Sequence, residues 1–228
     1  MAELVRVFVG WDSREAVAYE VCCFSIQRRS SIDVDVRPIQ LDELREAGAY
    51  WREEDPLAST QFTYSRFLTP FLAGFRGLAI YCDCDFLWLD DIATLVAQVD
   101  PGKAVSCVQH DYRPREATKM DGRVQSVYPR KNWSSLMVFN AGHAACSNLS
   151  VERVNTSAPA WLHRMGWVAD SDIGALDDRW NWLEGWRTRD GTTPGAVHFT
   201  RGGPWFPEWQ DVDYAQAWLN ELDAMQKG

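Results

Sequence analysis

The chain has 228 residues, with 23 Lys and Arg against 32 Asp and Glu, for a net charge of −9. That length suits one well-buried domain rather than two enzymatic ones. The acidic balance argues against general attraction to nucleic acid or anionic membrane, so any phosphate must be held by a local site. No apolar run approaches membrane-spanning length and no export signal is visible near the first residue. The six Cys sit mostly in apolar segments, as buried free thiols do. A cytoplasmic setting is therefore expected.

In chain order, residues 4–9 read as a first strand stopped by Gly10. Asp12-Ser13-Arg14-Glu15 has the capping-box pattern and opens a helix to about residue 28, with Ala16, Val17, Val21, Phe24 and Ser25 on its packed side. Residues 34–39 form a second strand, followed by a short helix over 42–47. Residues 61–72 carry Phe62, Phe67, Leu68, Phe71 and Leu72 at helical spacing. Gly74 and Gly77 then introduce the apolar run 78–82, which suits a strand buried on both faces.

That strand ends in Asp83-Cys84-Asp85. Residues two apart on an extended chain point the same way, so both carboxylates converge beyond the strand's carboxyl end, where open α/β sheets bind ligands. Two adjacent acids repel, and a divalent ion with hard oxygen ligands relieves the repulsion. Spacing by itself is weak evidence, because Asp33/Asp35, Asp170/Asp172 and Asp211/Asp213 share it. Cys82 and Cys84 lie on the opposite side and lack a second Cys pair to complete a soft-metal site, so they read as core.

Further on, 92–99 reads as a short helix, 105–108 as a strand, 109–131 as a long polar loop and 135–139 as a strand. Residues 151–165 look helical despite Pro159, 197–199 form a short strand running into Arg201-Gly202-Gly203, and 211–226 close as an amphipathic helix. Eight of the twelve Trp fall after residue 160, more than a ligand site uses, so most are expected to be structural. Strands alternating with helices argue for an α/β fold with a mostly parallel sheet flanked by helices.

In order, these segments resemble the GT-A (Rossmann-like) glycosyltransferases, most closely the retaining family 8 type of glycogenin and bacterial lipopolysaccharide galactosyltransferases. The matching blocks are Tyr64-Ser65-Arg66 before the Asp83–Asp85 triplet, the segment 132–140, Asp170-Ser171-Asp172 with Arg179-Trp180-Asn181, and the turn 198–205. Ser171 stands where that family has Gln, and Gly203-Pro204 where it has Lys-Pro. The resemblance implies one domain over 1–228, with a nucleotide-binding half (1–110) and an acceptor and donor-sugar half (111–228). It implies Mn²⁺ or Mg²⁺ on Asp83, Asp85 and His198, and nucleotide contacts from Phe8, Gly10, Asp12, Arg66, Asp83 and Cys84. Donor or acceptor contacts would come from Ser134, Ser135, Arg201, Gly203 and Trp205, and catalytic roles would fall to Asp170, Asp172 and Arg66. The implied activity is transfer of a sugar from a nucleotide diphosphate donor, UDP-sugar first, with retention, to a saccharide, lipid-linked or small-molecule acceptor. A catalytically silent nucleotide- or sugar-binding module and a sugar nucleotidyltransferase are the alternatives. The latter would place a Gly-rich basic loop where Gly10-Trp11-Asp12-Ser13-Arg14 stands.

Overall fold

The computed structural model describes residues 4–56, 58–111, 129–187 and 191–228. The strands are β1 (Val5–Gly10), β2 (Val34–Ile39), β3 (Leu78–Cys82), β4 (Phe86–Trp88), β5 (Val105–Cys107), β6 (Leu136–Asn140), β7 (Ile173–Ala175), β8 (Trp182–Leu183) and β9 (Ala196–His198). The helices are α1 (Ala16–Arg29), α2 (Leu41–Glu46), α3 (Thr69–Leu72), α4 (Ile92–Val96), α5 (Val151–Thr156), α6 (Pro159–His163) and α7 (Ala215–Lys227).

Six strands form one sheet in the order β2-β1-β3-β6-β5-β7. The pairs β1/β2, β1/β3 and β5/β7 are parallel, whereas β6 is antiparallel to both its neighbours. Five strands thus share one direction, in agreement with the expected mostly parallel α/β sheet. The amino end of β6 lies level with the carboxyl end of β3, since Leu136 pairs with Cys82. β6 belongs to the 111–228 half but sits between β3 and β5, so the two halves interleave in one sheet.

The runs read as strands over 4–9, 34–39 and 78–82 are strands because their apolar side chains have a helix layer to pack against; Val7, Val9, Ala79, Ile80 and Tyr81 have no exposed surface. The stripe over 61–72 is not one helix. Residues Ser65–Leu68 are 3-10 and Thr69–Leu72 starts afresh with Pro70 in its first turn. Pro lacks the N–H that an interior position must donate. The same rule splits 151–165 into α5 and α6 at Pro159. The loop expected over 109–131 lies mostly outside the described residues.

A second sheet, β4-β9-β8, has no counterpart in the sequence reading apart from the strand near 197. Its strands are two or three residues long, too short for periodicity to register. It packs with α1 and α7 around Val21, Leu87, Trp182, Val197, Phe199 and Trp218. Glu221 of α7, almost fully buried, ties the helices together by accepting from Arg29 at 2.7 Å. Helix α1 therefore buries two faces, one on each sheet. This is why its buried set, Ala18, Val21, Cys22, Ser25 and Ile26, differs from the single stripe expected.

Candidate metal and nucleotide site

Asp83 leaves β3 with its backbone N–H on the Ser135 carbonyl (2.9 Å), which fixes the triplet against β6. Its Oδ1 accepts from the Tyr81 hydroxyl at 2.6 Å and pairs with the Arg66 guanidinium at 2.8 Å. Arg66 is itself buried and also donates to the Ser134 carbonyl. Burial pushes the Asp83 carboxyl above its ordinary value, against the pull of Arg66.

Asp85 is held from the other side. It directly precedes β4, and β4 pairs antiparallel with β9 so that Phe86 faces His198. The Phe199 N–H donates to the Asp85 carbonyl, and His198 Nε2 lies 3.3 Å from Asp85 Oδ2. Phe86 stacks on the imidazole at 4.5 Å. The Asn181 amide N–H₂ donates to Ser135 Oγ at 2.9 Å and toward the Asn132 carbonyl. Its oxygen is left to accept from His198 Nδ1–H at 2.9 Å. Nε2 is thereby turned toward Asp85, the arrangement that orients a ligating histidine. Asp83, Asp85 and His198 each offer a ligand atom within 4.8 Å of the others, and this set of two carboxylates and an imidazole suits Mn²⁺ or Mg²⁺.

A further carboxyl was missed. Glu15 carries the capping-box spacing but makes no reciprocal side-chain cap; it is 2% exposed and its Oε2 is buried without a hydrogen-bond partner. Burial, then the charges of Asp85 and Asp12, push it up to about 8 from an ordinary 4.5. A folded value above the unfolded one means the native state holds the proton more tightly. The metal-free protein should therefore lose stability as pH rises from about 4.5 through about 8. In EDTA, Glu15→Gln should flatten the melting-temperature profile over that window, only in part because Asp83 is shifted the same way. A profile as steep as wild type's would refute the assignment.

Beside these carboxylates, beyond the ends of β1 and β2, lies a cavity of about 260 Å³ lined by Arg14, Tyr50, Arg52, Asp55, Gln61 and Tyr64. Arg52 stacks on Tyr64 at 4.2 Å. The residues expected to touch a nucleotide do not line it. Phe8 is buried within β1, and a Cβ at Gly10 would lie 2.5 Å from the Phe62 ring, so that backbone is covered. Asp12 is fully buried and accepts from the Arg14 backbone and guanidinium and from the Gln61 N–H. Burial raises its carboxyl, and these bonds outweigh that and hold it below its usual value. Asp12 therefore positions Arg14 rather than a base. Cys84 is buried on the far side of the chain, its thiol pushed well up by burial. Cys82 and Cys22 approach to 4.0 Å in the core, and all six cysteines are free.

Asp170 and Asp172 are a correction. They precede β7 and do not follow it, and Ala104 N–H donates to the Asp172 carbonyl while Asn140 N–H donates to the Ala104 carbonyl. Asn140 pairs with Leu78 at the amino end of β3, so both acids lie on the sheet edge opposite Asp83. Asp170 is exposed and pairs with Arg130. Asp177 and Asp178 are the acids that β7 carries to the carboxyl edge. Arg201 is likewise engaged elsewhere, in a fork onto buried Glu184 at 3.0 to 3.1 Å. Gly203 lies under the Trp205 ring, and Trp205 packs on Phe199 and Trp218. Gly202, Gly203 and Pro204 are buried, and Trp205 is partly buried against that core. Ser134 and Ser135 do reach the site, Ser134 bonding His163 Nδ1 at 3.2 Å and Ser135 supporting Asp83 and Asn181.

No family model matches the chain. Protein CDI of Arabidopsis thaliana is 53% identical over 226 residues, which is 97% of this chain and 87% of that protein. The chain belongs to the Protein CDI family. Among solved structures, the apo form of the bifunctional glycosyltransferase WbbM superposes with a TM-score of 0.65 at 16% identity; it covers all of this chain, which spans 52% of WbbM. The galactosyltransferase LgtC, solved with donor and acceptor sugar analogs, gives 0.62 at 12% identity over 96% of this chain and 95% of LgtC. Apo GlyE of Streptococcus pneumoniae TIGR4 gives 0.63 at 12% identity over 99% of this chain and 62% of GlyE. This family member thus has the mixed α/β fold of the GT-A glycosyltransferases. Among its described residues, no helix is long and apolar enough to cross a membrane.

Proposed function

We propose that this chain is a metal-dependent glycosyltransferase of the family 8 type that moves a sugar from a nucleotide diphosphate, UDP first, to a saccharide, lipid-linked or small-molecule acceptor. The observation that carries the reading is the histidine: Asn181 turns His198 Nε2 toward Asp85, 113 residues away in sequence, beside a cavity of nucleoside size. Asp83, Asp85 and His198 would hold Mn²⁺ or Mg²⁺. Such an ion stabilises charge developing on a departing diphosphate. Arg66 and Tyr81 fix the angle of Asp83, and the β4/β9 pairing fixes Asp85. Arg14, Tyr50 and Tyr64 would receive the nucleoside, with aromatic surface for the base and a cation toward the phosphates. Retention would follow a front-side route in which the leaving phosphate takes the acceptor's proton, without Asp170 or Asp172.

Calorimetric titration of UDP, GDP and CDP with Mn²⁺, then with EDTA, tests this. Binding of one nucleotide that vanishes in EDTA is expected, followed by slow hydrolysis of the matching nucleotide-sugar. No binding under either condition would overturn the reading, and the fold would stand without the function. Nucleotide binding without turnover on any donor and acceptor would leave a silent binding module.

A further inference from the structure

The carboxyl edge of the large sheet orders its ligand groups along one line. The cavity lies beyond β1 and β2, the carboxylate pair hangs from β3, the amino end of β6 follows, and then come the ends of β5 and β7. Strands are spaced by about 4.8 Å, so the end of β5 lies about 10 Å beyond β3. A nucleotide diphosphate with its base in the cavity and its phosphates at Asp83 and Asp85 must extend its sugar over β6 and β5.

The side chain waiting there is His110, three residues past Cys107 at the end of β5. Its carbonyl accepts from Trp133 Nε1 at 2.9 Å, which pins the backbone. Its ring shares a hydrogen bond with Asn181 and lies near His198, the pair that orients the metal site. Its Nε2 is buried and has no hydrogen-bond partner. Nearly all buried polar groups are paired, and a buried orphan marks a place where something else can supply the bond. An uncharged imidazole offers one donor and one acceptor nitrogen.

We propose that His110 is a specificity-determining residue, its Nε2 hydrogen-bonding a hydroxyl of the transferred sugar. This rests on the glycosyltransferase reading above. A hydroxyl fits because it both donates and accepts, matching either tautomer of an uncharged ring. A diphosphate would be better met by a cation, and Arg14 and Arg66 already stand on that side.

The test compares two probes on wild type, His110→Ala and His110→Gln by calorimetry with Mn²⁺: the nucleotide diphosphate that binds, and the same nucleotide carrying glucose or galactose. His110→Ala is expected to bind the bare nucleotide as wild type does and the nucleotide-sugar about tenfold more weakly, with His110→Gln recovering part of the loss. Equal losses on both probes would assign His110 to the phosphates or to the scaffold, and no loss on either would make it packing; each result overturns the inference while the glycosyltransferase reading stands. Wild type that binds neither probe would overturn both. A folding defect lowers the active fraction for both probes alike, so the difference between them isolates the sugar contact.

Discussion

Asp85→Ala is expected to weaken Mn²⁺-supported nucleotide binding by about a hundredfold or more, while the melting temperature stays near that of the wild-type protein. Altering groups that merely orient a metal ligand typically costs 10–100-fold, and losing a ligating carboxylate costs at least as much. The fold should survive because the backbone bond that ties Asp85 to β9, its carbonyl receiving the Phe199 N–H, is one that alanine retains. Removing the carboxylate also relieves its repulsion of Glu15 and Asp83. His198→Ala should be milder, about tenfold, because two carboxylates remain and carry the charge. Unchanged nucleotide affinity in Asp85→Ala would end the site assignment. A collapse of the fold in both variants would instead make the cluster structural.

Arg66→Ala should destabilise the protein by about 3–5 kcal/mol, the usual consequence of removing one partner of a buried ion pair. The guanidinium holds Asp83 at 2.8 Å, donates to the Ser134 carbonyl and lies between the Phe62 and Tyr81 rings at 5.3 and 5.2 Å. Its loss leaves Asp83 facing Asp85 without a cation, and denaturant unfolding measures the cost. The second substitution Asp83→Asn in the Arg66→Ala background should restore part of the stability, because the stranded charge is then gone. Added Mn²⁺ should also restore part of it in Arg66→Ala alone, since an ion bound only by the native state stabilises it by mass action. A loss below about 1 kcal/mol would show that water reaches Asp83 and that the pair is an ordinary surface bridge.

The Asp83/Asp85 pair was readable because every link in its argument is local: a buried apolar run, a period of two and a strand end. The same spacing misled at Asp170/Asp172, because it does not say whether a triplet enters or leaves a strand, and that alone decides which edge of a parallel sheet it reaches. Glu15 matched a capping box, but the reciprocal cap did not form and α1 turned the carboxyl into the core. Arg201 and Trp205 followed a motif by analogy, yet Glu184 and Trp218 claimed them.

What the sequence by itself determined was the α/β class, most strand positions in the large sheet and the carboxylate pair, all products of hydrophobic periodicity and short-range spacing. Only the tertiary structure decided that β4 pairs with β9, that Asn181 sets the tautomer of His198, and that the acids before β7 lie on the far edge. The β4/β9 pairing and the Asp172–Ala104 bond join residues many tens of positions apart, and Asn181 lies 17 from His198, all at strands of three residues or fewer. So short a strand buries too little surface to leave a pattern, and its partner is selected by the packing of α1 and α7 around it.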